Sequence, residues 1–265
     1  MPPPRDRSVM TVIEALILGI IQGASEFLPI SSSGHLLLLE KLGVGQESLF
    51  FNVMVHVGTL LAVLIALRKS WFPLLRKPFQ KTTAYILLAC IPTVALALIF
   101  KFLLPSLLDG LLLGFGFVLT SFFLIVGEMF KSSQPTLLNT KKSILTGVLQ
   151  GIAVLPGVSR SGATISVLTV QGVDKTTAAN FSFLLSIPII IGSAILEGVE
   201  LAHSATPLDI GILPLIVGTA AAFVSGLLSI TFFLKLLKKH SMLGFAIYTL
   251  LLGIVVTILP IWGIL

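Results

Sequence analysis

This chain of 265 residues carries little charge: Asp, Glu, Lys and Arg make up 11% of it, against roughly 25% in an average soluble domain. That scarcity excludes a water-facing globular surface. With 55% apolar residues and a mean hydropathy of +1.08, the composition is that of an integral membrane protein. Tryptophan and tyrosine are also scarce, two of each, although phenylalanine reaches 18. The aromatic belt that usually marks a membrane interface is therefore thin. The single cysteine, Cys90, excludes an internal disulfide and reads as a small side chain in an apolar run. Basic residues outnumber acidic ones, for a net charge of +6, yet they cluster between apolar runs. The positive-inside rule produces that pattern, so nucleic acid is set aside as a partner. The opening MPPPRDRSVMTVIEALILGIIQGAS has the basic start and apolar stretch of a signal peptide. Glu14 and Gln22 interrupt it and no small-x-small site follows, so cleavage is not expected.

Apolar segments of spanning length run over 48–67, 83–100, 110–127, 177–196, 210–234 and 242–263. Two others, 9–39 and 143–168, are broken by Gly, Pro, Ser and charged residues. Such segments suit re-entrant helices lining a protein-enclosed cavity better than lipid-facing ones. They are also copies of one another. LILGIIQGASEFLPISSSGH from residue 16 matches ILTGVLQGIAVLPGVSRSGA from residue 144 on one register of 128 positions. Gly19, Gln22, Gly23, Ser31, Ser33 and Gly34 meet Gly147, Gln150, Gly151, Ser159, Ser161 and Gly162. The chain reads as a duplication, residues 1–142 and 143–265, forming one membrane domain.

Charge predicts the orientation. Arg68, Lys69, Arg76, Lys77 and Lys81 crowd one loop, Lys131, Lys141 and Lys142 a second, and Lys235, Lys238 and Lys239 a third. These three are expected to be cytoplasmic, and the loop 197–209, with Glu197, Glu200 and Asp209, external. Arg5 and Arg7 would then lie outside, against the rule, with Asp6 between them. Threading the spans through these loops makes the two halves inverted. The expected fold is an all-α polytopic membrane protein with an inverted-topology repeat, six full spans and two broken helical hairpins. Polar sites in such folds form near midplane, where the broken helices meet.

The polar residues fall there. An ionisable group inside the bilayer costs about 2.5–3.5 kcal/mol by insertion scales, so each is a functional candidate. Glu26 shares a helical face with Gln22, four positions earlier. Crossing of the two breaks would bring Glu26, Ser31, Ser32, Ser33 and His35 to Ser159, Arg160, Ser161 and Thr164. The planar cation of Arg160 fits phosphate oxygens. The serines, with backbone N–H groups at Gly34 and Gly162, favour anions where new helices begin. A carboxylate in a phosphate site calls for a divalent cation or a proton between the two. Together they read as a metal-assisted phosphate or diphosphate site within reach of lipid. Either Ser32 or His35 can be its nucleophile, and His35 equally its general acid or base. Gln22 and Gln150 read first as hydrogen-bonders across the repeat, and Ser25, Ser193 and Ser225 as packing devices. His56 divides evenly between pocket wall and packed polar residue. Glu14 reads as a surface residue, and His203 and His240 as solvated.

The motifs QGASEFLPISSSGHL and PGVSRSGATIS, supported by HVGTLLAV and NFSFLLSIP, resemble the BacA family of undecaprenyl-diphosphate phosphatases over essentially the whole chain. The resemblance implies hydrolysis of undecaprenyl diphosphate to the monophosphate and phosphate, recycling the carrier lipid for cell-wall synthesis and conferring bacitracin resistance. It also implies a multi-pass protein of the bacterial inner membrane whose pocket opens to the outer face. The family's acidic motif falls on Gln22 and Glu26, its serine stretch on Ser31, Ser32 and Ser33, and its histidine on His35. Its second motif falls on Ser159, Arg160, Ser161 and Thr164. The implied catalytic set is Glu26, Ser32, His35 and Arg160. The phosphates would be held by Ser31, Ser33, Gly34, Ser159, Ser161, Gly162 and Thr164. A divalent cation, Mg2+ or Ca2+, is implied on Glu26 and, more weakly, on Gln22. The implied partners are a long-chain polyprenyl diphosphate lipid and the bilayer, with a homodimer allowed. Two positions depart from the pattern: Gln22 stands where many members have glutamate, and Asn180 where some are acidic. The competing class is a transporter or flippase of a phosphorylated lipid or small anion, which needs the binding groups but no nucleophile.

Overall fold

The computed structural model describes residues 10–45, 48–130, 136–203 and 210–259. Arg5, Asp6, Arg7, Lys131 and Asp209 lie outside them. Eleven α-helices and one short 3-10 turn, Pro105–Leu107, make up the described residues, with no strand among them. The helices are α1 (Val12–Phe27), α2 (Ser32–Lys41), α3 (Leu49–Ala66), α4 (Arg68–Arg76), α5 (Lys81–Leu103), α6 (Leu113–Met129), α7 (Thr140–Ile152), α8 (Arg160–Val170), α9 (Lys175–His203), α10 (Ile212–Leu237) and α11 (Leu243–Ile258).

The expected all-helical membrane fold is the one found. Helices α3, α5, α9 and α10 are long and apolar enough to cross a membrane. The two remaining expected spans, α6 and α11, hold 17 and 16 residues, or about 25 Å at 1.5 Å per residue. They lie side by side. Large apolar side chains such as Ile13, Leu87, Phe102, Leu111 and Leu251 are exposed, as a lipid-facing surface requires. The first basic loop holds a helix that the apolar pattern does not show: α4 buries no residue, and Arg76 lies over the Phe72 ring at 4.5 Å.

Both broken segments are short helix, break, short helix. Thr11 opens α1 with a reciprocal capping box to Glu14, 2.9 and 3.2 Å, which gives Glu14 a structural task. At the other end Pro29 forces Leu28 into an extended conformation, and the helix stops. Ser31 completes that turn at φ 72°, a left-handed value unusual without glycine. In the second segment the same reversal falls to Gly157, at φ 87°. Ser31 then caps α2 by accepting from the Gly34 N–H at 3.2 Å, and Ser159 caps α8 by accepting from the Gly162 N–H at 3.1 Å. The duplicated sequence thus builds duplicated hydrogen bonds.

The two halves interlock. Helix α1 packs along α10, and α7 along α5. The matched glycines explain why: Gly19 rests on the backbone of Gly218, and Gly147 on that of Ala89. A Cβ at either position would strike a backbone carbonyl, which cannot give way as a side chain would. Gly19→Ala and Gly147→Ala should each destabilise the protein by about 1–3 kcal/mol. A lowered Tm in detergent is the measurement. Unchanged melting of both would mean that the helices do not approach so closely. Between the halves, Phe27, Phe183 and Phe233 form a chain of rings with centroids 5.4 and 6.2 Å apart. That core sits directly under Glu26, the neighbour of Phe27.

Candidate active site

The breaks meet through one carboxylate. The face that α1 turns inward carries Gln22 and Glu26, both buried, with the Gln22 amide Nε2 donating to Glu26 Oε2 at 3.2 Å. Ser32, the first residue of α2, donates its hydroxyl to the same oxygen at 2.5 Å. Arg160, the first residue of α8, donates to Glu26 Oε1 at 2.5 Å across the interface between halves. The Glu26 side chain is 6% exposed and that of Arg160 16%. Removing one partner of so buried a pair strands the other. Ser32 and Arg160 are themselves 128 positions apart, so the duplication places one binding group on each side of Glu26. The counterpart of Glu26 on that register is Val154.

Around this knot lies a cavity of about 270 Å³. Glu26, Ser31, Ser32, Ser33, Ser159 and Arg160 all contribute to its wall. The wall thus gathers six of the residues named from the two motifs, and Gly34, His35, Ser161, Gly162 and Thr164 lie off it. His56, divided evenly between wall and packing, lies on the wall, as do residues the sequence reading does not assign to the site: Ser25, Thr93, Gln150, Val154, Ser193 and Glu197. The signal for Glu197 and Thr93 was slight, a lone carboxylate and a lone hydroxyl in apolar runs. Ser225 is a packing residue, donating to the carbonyl of Ala221 at 2.7 Å against α1.

Several named residues take other tasks. The N–H groups of Gly34 and Gly162 go to the capping serines, so the N–H groups still free at these helix starts are earlier ones. Thr164 is fully buried and bridges to Ser182 at 2.6 Å, tying α8 to α9. Ser161 donates to the carbonyl of Leu28 at 3.1 Å, which joins the second motif to the first break. His35 lies off the cavity wall. Its Nδ1 donates to the Ser31 carbonyl at 2.6 Å, and its Nε2 lies 2.7 Å from the Tyr248 hydroxyl, with the two rings stacked. Asn180 bonds within its own helix, to the Thr176 carbonyl, and is also absent from the wall.

Glu26 therefore has three donors for its two oxygens, and Ser32 an acceptor 2.5 Å from its hydroxyl. A cation, a serine held by a carboxylate and two helix N-termini converge on one small cavity. That is equipment for binding an anion and for moving a proton from an attacking hydroxyl. The family described as bacitracin resistance protein BacA matches residues 15–255. The chain belongs to that family. An undecaprenyl-diphosphatase of Carboxydothermus hydrogenoformans is 39% identical over 259 residues, covering 96% of this chain and 99% of the relative. Undecaprenyl-diphosphatase 3 of Bacillus cereus is 38% identical over 251 residues, 93% and 96% of the two chains. An undecaprenyl-diphosphatase of Methanobrevibacter smithii is 36% identical over 272 residues, 93% and 97%. A match over nearly full length in relatives this similar extends to both halves of the cavity.

For a metal ion the donor set is mixed. Among the described residues no three of His, Cys, Asp and Glu gather in one place. However, Gln22 Oε1 and Gln150 Oε1 are buried oxygens without a hydrogen-bond partner among the described residues, and Gln150 lies on the cavity wall. Oxygens of that kind, with Glu26 and the oxygens of a diphosphate, fit Mg2+ or Ca2+.

Proposed function

We propose that this protein is an undecaprenyl-diphosphatase, which releases the terminal phosphate of the carrier lipid and leaves its monophosphate for cell-wall synthesis. The observation that carries this reading is the clasp of Glu26 by Ser32 and Arg160 on the wall of one cavity. Transport requires the cation and the hydroxyls; it has no use for a serine presented to a carboxylate at 2.5 Å. The names of the relatives agree, and bacitracin resistance follows from turnover of the lipid diphosphate that the antibiotic sequesters.

In this reading Arg160 swings part of its charge from Glu26 to the terminal phosphoryl group and stabilises it as it transfers. The carboxylate, so relieved, takes the proton of Ser32 as its Oγ attacks phosphorus. The free N–H groups at the starts of α2 and α8, with Ser31, Ser33 and Ser159, hold the remaining phosphate oxygens. Ser161, Gly162 and Thr164 act behind them, fixing the position of Arg160. His35, held by Tyr248, fixes α2 and with it Ser32. A divalent cation, when bound by Glu26, Gln22 and Gln150 together with the diphosphate, supplies neutralisation of phosphate charge.

The cavity wall includes Ser193 and Glu197, in the second half of α9; the segment 197–209 expected as a loop is helical as far as His203, so Glu197 and Glu200 both stand on α9, while Lys175 stands at its start. That supports a pocket opening to the outer face of the bacterial inner membrane. The interlocking of α1 with α10 and of α7 with α5 supports inverted repeats at 1–142 and 143–265. The isoprenoid tail, too long for 270 Å³, would lie in the apolar grooves between the spans. Light scattering in detergent would test for the homodimer that this reading allows.

The deciding assay is phosphate release from undecaprenyl diphosphate by the purified protein, with magnesium and then with a chelator. Release that falls at least tenfold with the chelator and returns with added Mg2+ is expected. No release in either condition, from folded protein, would turn the assignment toward transport.

A further inference from the structure

The connection between α3 and α5 carries charge of one sign. Arg68, Lys69, Arg76, Lys77 and Lys81 stand there, with no Asp or Glu from Leu67 to Lys81. Helix α4, within it, has nine residues and covers about 14 Å, less than half the thickness of a bilayer core. It is too short to cross. Both of its neighbours are long and apolar enough to do so. The ends of two spans therefore hold α4 at the bilayer surface.

Its contact with the rest of the protein is one-sided. Trp71 and Leu74 turn inward and pack, half-buried, against the main core. The Trp71 indole N–H donates to the Leu64 carbonyl at 2.6 Å, which fastens α4 to α3. The Gln80 amide closes the far end, donating to the Pro73 carbonyl at 3.2 Å. The outward side carries Phe72 and Leu75, 45% and 69% exposed, and Phe79 stands out beyond the helix. Arg68, Lys69 and Arg76 are exposed beside them. The guanidinium of Arg76 lies 4.5 Å from the centre of the Phe72 ring. That is the posture of a long cation whose stem follows apolar surface while its head reaches a polar layer.

A hollow of about 440 Å³ opens on this side, lined by Arg68, Lys69, Trp71, Phe72 and Pro73. Two cations and two aromatic rings around one hollow suit an anion attached to apolar chains. We propose that α4 is an interfacial helix that binds an anionic phospholipid of the bilayer. The phosphate sits between Arg68 and Lys69, and the acyl chains run along Phe72 and Leu75. A free phosphate would leave those apolar side chains in water. A second copy of this chain docked on the same face would set five cations against five. Each cation held close to an anionic membrane surface raises binding by about fivefold. None of these residues lies on the wall of the Glu26 cavity, so lipid binding at α4 stands apart from the diphosphatase reading.

Trp71, on the wall of the hollow, reports on its occupant. The chain has two tryptophans, so W262F leaves Trp71 as the one indole. The full-length W262F protein is reconstituted in phosphatidylcholine vesicles with an equal minor share of brominated phosphatidylglycerol or of brominated phosphatidylcholine, and quenching of fluorescence is measured. The expected result is a relative binding at least about fivefold in favour of phosphatidylglycerol, lost when NaCl is raised to about 0.5 M. Adding R68Q and K69Q should bring the two lipids to parity. Adding K238Q and K239Q instead, in another basic loop, should leave the preference intact. Equal quenching by the two lipids in W262F overturns the proposal. Quenching by neither also overturns it, because the hollow would then be covered by protein. A preference that survives R68Q/K69Q, or that falls equally with K238Q/K239Q, overturns it as well, since the attraction would then belong to the molecule's overall charge. Should R68Q/K69Q not fold, judged by its Tm, the salt series on W262F decides: a preference unchanged by salt overturns the proposal.

Discussion

Arg160→Ala should lower kcat/KM for undecaprenyl diphosphate by about 1,000-fold, the range in which removing a charge-stabilising group from a transferring phosphoryl falls. Two losses combine in that number. The phosphoryl group loses the cation that compensates its charge, and Glu26 keeps its own charge in a cavity where it is 6% exposed. Breaking a buried pair also destabilises, by about 3–5 kcal/mol, so Tm must be measured beside the kinetics. Arg160→Lys separates the two losses. It restores the charge but not the planar fork, and should recover much of the stability and little of the rate. Near-normal turnover by a folded Arg160→Ala protein would mean that the phosphate binds elsewhere.

Ser32→Ala should have an effect at least as large, but of a different kind. Without an attacking oxygen kcat should fall by about 1,000-fold or more while KM changes little, because Arg160 and the helix starts remain. The comparison that gives this meaning is His35→Ala. In the structure His35 is bonded at both nitrogens and stacked on Tyr248. Its loss should loosen α2 and cost activity through the placement of Ser32, by a smaller factor than loss of Ser32 itself. The reverse ranking, an inert His35→Ala protein beside an active Ser32→Ala protein, would make histidine the nucleophile.

Much of this was legible before the fold. Glu26, Arg160 and the serines stand out because ionisable groups are expensive in lipid and few occur in these segments. The repeat is visible because close packing of backbones leaves room only for glycine, as at Gly19 and Gly147. What could not be read was direction. His35 and His56 look alike as letters, yet one ring turns to Tyr248 and the other to the cavity, through contacts between distant helices. Glycines expected to present N–H groups to an anion surrender them to Ser31 and Ser159, whose capping role depends on where each helix starts. Helix α4 was hidden for another reason: it buries nothing, so no apolar period announces it.

The valine opposite Glu26 gives the cavity a head and a tail. Ser32 and Arg160 occupy matching places in the duplicated halves, but the carboxylate of one half is answered by Val154 in the other. Two identical halves would treat both ends of a diphosphate alike and could cut either P–O bond of the bridge. With a single carboxylate, only the phosphorus beside Ser32 meets an activated hydroxyl. Val154, in the matching place, offers no acceptor for the proton of a second attacking group. Regiochemistry, on this reading, is written in a position where the two copies differ.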